Sequence, residues 1–311
     1  MFVHPITKEK LIKNSTGDMF PEGSPENKIL RSIGGSYNFV TLYNNSNDLS
    51  YYDHYYDNIN QNINYKLESL WDQKTTYKLL HGKIGDVKGK KMLLLGNGTS
   101  LKELLFVSEG ACVVYTDLSM NAIMSVKKYY HSKIEKKEYI TPEFHAVDAL
   151  YLPFADEYFD IIYGCAFVHH IQRLDKLFNE IYRCLKPGGK CIFLDDAYSH
   201  WWHIAKKTVL RPLQIFSHWR TGISPEDKIA TERGGYKEEE IEYIRKNHGF
   251  STMLYQRSEF FEHFLRRGST KLITPAVSEK IAPWGRYIDK NVLGHKFVDI
   301  NGFQLVWGFE K

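Results

Sequence analysis

Between residues 90 and 194 short apolar runs alternate with helical stretches, and no other feature of the chain narrows its fold so far. The runs at 92–95, 112–116, 144–147, 160–163 and 190–194 are brief and mostly apolar, as strands buried on both faces of a parallel sheet should be. Helical patterns fill the gaps at 101–108, 121–131 and 174–185. The last places Leu174, Leu177, Phe178, Ile181, Tyr182 and Leu185 on one face, and the Pro-Gly-Gly after it stops the helix. This is the rhythm of a doubly wound α/β sheet with helices on both faces. Ligands of such sheets bind beyond the carboxyl ends of the strands, near the reversal of strand order. Residues 96–100 fall there.

Composition bounds what the scaffold can carry. The 311 residues suit one large domain, or one domain with a small appendage. A net charge of +4 is too mild for the concentrated basic stripe of a nucleic-acid binder. The four cysteines, Cys112, Cys165, Cys184 and Cys191, form no CxxC pair, which predicts reduced thiols in a cytoplasmic protein and neither a disulfide framework nor a zinc site. No apolar run reaches membrane-spanning length, and MFVHPITKEK lacks the apolar core of a signal peptide.

The stretch KKMLLLGNGTS at 90–100 reads as a buried strand entering a glycine turn. A phosphate loop needs a GxGxxG run or a terminal GK[ST], because each glycine admits backbone N–H groups close to the phosphate. Here only Gly96 and Gly98 are present. Either the ligand carries no phosphate, or the loop is merely a tight strand-to-helix turn. The next strand ends in YTDLS, which sets Asp117 about 20 residues beyond the loop, at the spacing of a ribose-binding carboxylate. Two acceptor oxygens suit a vicinal diol. Taken alone, DLS reads equally well as a helix cap.

Three further blocks give the resemblance to a known family. They are VDALYLPFADEYFDIIYGCAFVHHI at 147–171, LFNEIYRCLKPGGKCIFLDDA at 177–197, and GGYKEEEIEYIRKNHGF at 234–250. With the glycine loop they resemble class I S-adenosylmethionine-dependent methyltransferases, in particular the group that methylates small molecules. The resemblance covers roughly residues 90–250. It implies a Rossmann-like seven-stranded sheet whose last strand, FQLVWGFEK at 303–311, runs antiparallel. It also implies S-adenosyl-L-methionine as cofactor and S-adenosyl-L-homocysteine as product. The cofactor has no phosphate, which suits a short glycine loop better than ATP or NAD would.

Carried over residue by residue, the resemblance sets Gly96, Asn97 and Gly98 against the methionine part of the cofactor. Asp117, followed by Leu118, faces the ribose, and Asp148 with Ala149 the adenine. Residues 164–166, with Cys165 at their centre, offer a backbone carbonyl to the ammonium. Two positions depart from the family: Leu94 stands where an acid commonly lies, and Ser100 where a third glycine ends the loop. His169 and His170 end the fourth strand beside the transferred methyl. A histidine there can take the proton leaving a hydroxyl or amine, or it can pack and hold the loop. Positioning alone accelerates an in-line displacement, so a base is optional.

Upstream, LSYYDHYYDNIN at 49–60 resembles the tyrosine-aspartate segments that lid the cofactor pocket, and Tyr52 and Tyr56 are the expected covers. Residues 1–45 read as a small N-terminal β module with a short resemblance to a zinc-ribbon-like domain fused ahead of some methyltransferases. His4 stands at one of its ligand positions without partners, so no metal is expected. The methyltransferase domain spans 46–311, with lid insertions at about 197–235 and 258–301. The first mixes aromatic and basic residues and reads as a helical cover on the sheet, ahead of a membrane-surface contact. Asp195 and Asp196 either face the acceptor or cap the segment after them. The second insertion, with Phe260, Phe261, Phe264 and Trp284, is a wall of the pocket or a homodimer interface. The expected activity is methyl transfer to an oxygen or nitrogen of a small aromatic or lipid-like metabolite. An RNA-base methyltransferase and a silent cofactor-binding or partner-binding protein stand as alternatives.

Overall fold

The computed structural model of the chain describes residues 1–23, 30–42, 71, 74–199, 235–268 and 275–311. Its centre is a seven-stranded sheet in the order β5-β4-β3-β6-β7-β9-β8. The strands are β3 (Lys91–Leu95), β4 (Cys112–Asp117), β5 (Glu143–Ala146), β6 (Phe159–Cys165), β7 (Leu185–Asp196), β8 (Thr252–Ser258) and β9 (Gln304–Glu310). From β5 to β7 the pairing is parallel, and β9 enters antiparallel between β7 and β8. Both the sheet and its antiparallel last strand match the expectation from sequence. The strand order reverses between β3 and β6, as two-sided winding requires.

Both faces are covered because the central strands are apolar on both. On one face Leu93, Leu95, Ile162 and Phe193 pack under α3 (Leu174–Cys184) and α4 (Glu238–His248), with Trp307. On the other, Met92, Leu94, Ile161 and Tyr163 meet α1 (Thr75–Ile84) and α2 (Met120–Tyr129). Ser119 caps α2, its Oγ accepting from the Ala122 N–H at 3.2 Å, which pins the helix to the end of β4.

Two predicted boundaries move. Instead of a continuous helix over 101–108, Lys102–Leu104 make a 3-10 turn and only Leu105–Ser108 are α-helical. The strand expected at 190–194 begins at Leu185, directly after α3. Pro-Gly-Gly therefore lies inside β7, at an irregularity of register opposite Phe159 and Ile161. A Cβ on Gly189 would approach the Lys186 carbonyl oxygen to 2.9 Å, so the bulge needs a glycine there.

The N-terminal residues form the small antiparallel pair β1 (Leu11–Lys13) and β2 (Met19–Pro21). Their apolar side chains join the main core: Phe2, Leu11, Met19, Tyr37 and Phe39 cluster with Phe154 and Phe159. Asn38 bridges Ala146 in parallel, and the Ala146 N–H donates to the Tyr37 carbonyl at 2.9 Å. His4 serves the local turn, its Nδ1 accepting from the amides of Ile6 and Thr7.

The second insertion is helical, with α5 (Pro275–Ile288) and α6 (Gly294–Asn301). Asp289 and Glu262 point inward. Asp289 accepts three backbone N–H groups, from Phe260, Phe261 and Glu262, at 2.8–3.1 Å. Glu262 binds Arg286 at 2.8 Å and the Thr75 hydroxyl at 2.6 Å, which ties the insertion to α1. Phe260 stacks on Phe303, whereas Trp284 and Phe264 are exposed. Nearly all of the first insertion, residues 200–234, lies outside the described residues.

Candidate active site

The loop after β3 is built by close approach. Gly96 and Gly98 have φ of +59° and +53°, a region that glycine enters without a Cβ penalty. At Gly96 space also demands glycine, since a Cβ would lie 2.0 Å from Cδ2 of Phe167. The same ring leans on Gly164 from the neighbouring strand, where a Cβ would lie 3.0 Å from its Cδ1. Beneath the loop, the Tyr115 hydroxyl donates to the Ser100 carbonyl at 2.6 Å. Asp117, buried at the end of β4, accepts the Gly98 N–H at 2.7 Å and the Ser119 N–H at 3.0 Å. A single carboxylate thus holds both the glycine loop and the start of α2.

The other predicted cofactor residues gather at the same end of the sheet. The Val147 N–H donates to the Asp117 carbonyl at 2.8 Å, so the chain leaving β5 runs beside Asp117. Asp148 follows, its Oδ1 accepting the Leu150 N–H at 2.8 Å, and Ala149 is buried. Leu118 is half-buried. Gly164 pairs with Leu95 across β3 and β6. Beyond Cys165, Ala166 has φ +53° and donates its N–H to the Leu194 carbonyl at 2.7 Å. A non-glycine residue in that region is uncommon and signals a backbone held by its surroundings. Tyr52 and Tyr56 lie outside the described residues.

The two histidines sit on a 3-10 turn, Val168–His170, just past β6. His169 Nδ1 lies 2.7 Å from Oδ1 of Asp195, whose side chain is closed to solvent. Indole Nε1–H of Trp307 donates to the other oxygen at 3.1 Å, and the His169 N–H approaches Oδ1 at 3.4 Å. Indole and amide can only donate, so Asp195 is an acceptor on both oxygens. The His169 proton then belongs on Nδ1, which leaves the Nε2 lone pair for chemistry. Burial raises the pKa of Asp195, while the His169 and Trp307 hydrogen bonds oppose that shift. The His170 ring packs on His169 with centroids 4.1 Å apart. Asp195 faces inward; Asp196 instead accepts from Gln304 Nε2 at 2.5 Å.

A second polar cluster escaped the sequence reading. Lys102 and Glu103, on the turn after the loop, are both buried, with Nζ 2.5 Å from Oε1. Tyr163 donates its hydroxyl to the same oxygen at 2.9 Å, and Lys102 reaches the Ser100 hydroxyl at 3.2 Å. Tyr163 pairs in register with Leu94, so a carboxylate reaches the sheet face on which Leu94 lies, from a helical turn rather than from the strand. Burial opposes the charge on Lys102, but the neighbouring Cys165, Glu103 and Tyr77 outweigh it and raise its pKa.

Among the described residues no group of three or more His, Cys, Asp or Glu is arranged to hold a metal ion. A cavity of about 500 Å³ opens between α3 and α4, lined by Leu174, Asp175, Tyr236, Tyr243 and His248 among others. None of the predicted cofactor residues lines it, and neither does His169 or His170.

Residues 93–193, from the middle of β3 to a point within β7, match the family model described as a methyltransferase domain. The fold is that of a class I methyltransferase. Curated relatives match over a stretch of similar length. A demethylmenaquinone methyltransferase of Streptomyces avermitilis is 30% identical over 112 residues, 36% of this chain and 45% of the relative. Phosphoethanolamine N-methyltransferase 2 of Caenorhabditis elegans is 32% identical over 112 residues, 35% of this chain and 25% of the relative. The matches therefore span less than half of either relative. Among solved structures, a Haemonchus contortus phosphoethanolamine N-methyltransferase 2 in complex with S-adenosyl-L-methionine superposes with a TM-score of 0.47 at 21% identity. That alignment covers 75% of this chain and 51% of the other. The family match thus ends within β7, two residues before Asp195, and the two insertions lie outside the matched residues.

Proposed function

We propose that this chain transfers a methyl group from S-adenosyl-L-methionine to an oxygen or nitrogen of a small molecule, with His169 as general base. The observation that carries the reading is the His169–Asp195 pair, set at the carboxyl ends of β6 and β7 beside the glycine loop. Relatives named for small-molecule methylation support the acceptor class.

The residues present fit the cofactor. Asn97 is buried in the loop, and neither its Oδ1 nor its Nδ2 has a hydrogen-bond partner. A buried amide left so is costly, and a zwitterionic amino-acid end would satisfy both atoms. Asp117 would take the ribose hydroxyls, Asp148 and Ala149 the adenine, and residues 164–166 the ammonium. S-adenosyl-L-methionine supplies a methyl group already activated on sulfur. His169 Nε2 accepts the acceptor's proton, Asp195 stabilises the imidazolium that forms, and Trp307 holds Asp195 against rotation. Phe167, wedged between Gly96 and Gly164, excludes water from the floor of the loop.

Calorimetric titration with S-adenosyl-L-methionine and S-adenosyl-L-homocysteine, repeated on Asp117→Ala, tests the cofactor half. Binding of both that is lost in the variant supports the reading. Turnover on a panel of phenols, amines and quinols, lost in His169→Gln while cofactor binding persists, supports the acceptor half. A wild-type chain that binds neither compound would overturn the proposal.

A further inference from the structure

The buried Lys102–Glu103 ion pair has no role in the mechanism above, and it is an expensive feature to keep. Two charges taken out of water lose more hydration than their attraction returns unless every remaining lone pair and proton is satisfied. Here one is not. Glu103 is fully buried, its Oε1 takes both Lys102 and Tyr163, and its Oε2 has no hydrogen-bond partner. An apolar pair of the same volume is often as stable or more so, so stability does not account for the charges.

The position of the pair does. Lys102 Nζ reaches the Ser100 hydroxyl, Trp71 Nε1–H donates to the Lys102 carbonyl at 2.7 Å, and Tyr163 anchors Glu103 to β6. Ser100 is also the residue whose carbonyl Tyr115 holds from β4. The loop of residues 96–100 is therefore gripped from two strands and one helical turn. Three buried side-chain atoms without a hydrogen-bond partner, Asn97 Oδ1, Asn97 Nδ2 and Glu103 Oε2, sit on this loop or the turn after it. Unsatisfied groups concentrate where a protein is organised for a ligand rather than for itself.

We propose that Lys102 and Glu103 are positioning residues for the ligand-binding loop: the pair fixes the conformation of residues 97–100 in which the cofactor is received, at no gain in stability. The proposal rests on the reading of that loop as the cofactor site. It acts through Ser100 and the Asn97 turn, and it uses the pair as charges, since the ion pair couples Lys102, and with it Ser100, to the Glu103 that Tyr163 anchors on β6.

The test compares the wild-type chain with Lys102→Met/Glu103→Leu and with Glu103→Gln, by thermal unfolding and by calorimetric titration with S-adenosyl-L-methionine. The double variant keeps the buried volume without charge. It leaves the Tyr163 hydroxyl without its acceptor, so it is expected to unfold close to the wild-type temperature rather than above it, yet to bind at least about tenfold more weakly, as a loop populated in its competent form a tenth of the time would. Glu103→Gln keeps the Tyr163 hydrogen bond and decides the matter if the double variant does not fold. It is expected to weaken S-adenosyl-L-methionine binding about 3-fold or more in the same titration. Variants that bind within about twofold of wild type would reduce the pair to a structural relic and overturn the proposal, leaving the methyltransferase reading intact. A wild-type chain that does not bind the cofactor overturns both.

Discussion

His169 and Asp195 stand 26 residues apart in sequence, and their side chains meet at 2.7 Å between Nδ1 and Oδ1. The contact joins the turn after β6 to the end of β7, so it exists only once those strands have paired. Its chemical effect is to fix the tautomer of a half-exposed imidazole from a fully enclosed carboxylate. Asp195→Asn retains the shape but presents an N–H or a weaker acceptor to Nδ1. We expect kcat on a working acceptor to fall by about 10²-fold or more, within the range of general-base effects, with cofactor affinity unchanged. Activity falling on acidification in the wild type, with any residual rate of His169→Gln independent of pH, would separate a base from a packing residue.

Gly96 and Phe167 occupy each other's space. Gly96→Ala adds a Cβ 2.0 Å from the ring and forces an L residue to φ +59°. The expected cost is about 3 kcal/mol from strain and overpacking together, visible as a drop in Tm of several degrees. Adding Phe167→Leu removes the clash but not the strain, so about half of the loss should return. A double-mutant cycle without coupling between the two sites would contradict this geometry.

His145 ties the N-terminal residues to the sheet. Its ring is buried among Phe2, Tyr37 and Phe39, its Nδ1 accepts the Tyr37 N–H at 3.1 Å, and Nε2 faces Glu143 at 3.1 Å. Burial lowers its pKa against the opposing pull of Glu143. With the folded pKa below the unfolded value of about 6.5, the stability that the neutral ring contributes is complete above that pH. It is lost as pH falls through the folded pKa. Protection of the Tyr37 amide, corrected for intrinsic exchange, should therefore fall as pH drops below about 6.5, and unfolding free energy should fall with it. A His145→Asn variant should show a flatter pH dependence.

Asp289 is the staple of the second insertion. Removing its carboxylate leaves the N–H groups of Phe260, Phe261 and Glu262 without their acceptor. Asp289→Ala should cost about 2–4 kcal/mol, and protease cleavage within 259–301 should accelerate well before the sheet unfolds. Equal cleavage rates in wild type and variant would refute the assignment.

The sheet was legible because its signal is local: five short apolar runs and the turns between them lie contiguous in the chain. Asp117 was legible for the same reason, since its distance from Gly98 is set by one intervening helix. Asp195 was visible only as one of two adjacent acids, and nothing near it announces His169 or Trp307, the latter 112 residues on. Lys102 and Glu103 were invisible as a site. In a short helical pattern two charges ordinarily face water, and here they are buried because Trp71 and Tyr77 from one distant segment and Tyr163 from another close over them. Long-range burial of polar groups has no periodicity, so no window on the sequence reports it. The expected lid tyrosines, Tyr52 and Tyr56, lie beyond the described residues and remain expectations.

The bridge from Asn38 to Ala146 lies on β5, the outermost strand on that side of the sheet. A free outermost strand presents a row of open amides and carbonyls to any passing chain. Here the Tyr37 carbonyl and the Ala146 amide already answer each other, and Phe2 and Phe39 pack on the His145 ring of the same strand. The first forty residues thus act as a selvedge: trimming them would not merely remove an appendage but leave a raw border along which copies of the protein can stitch together.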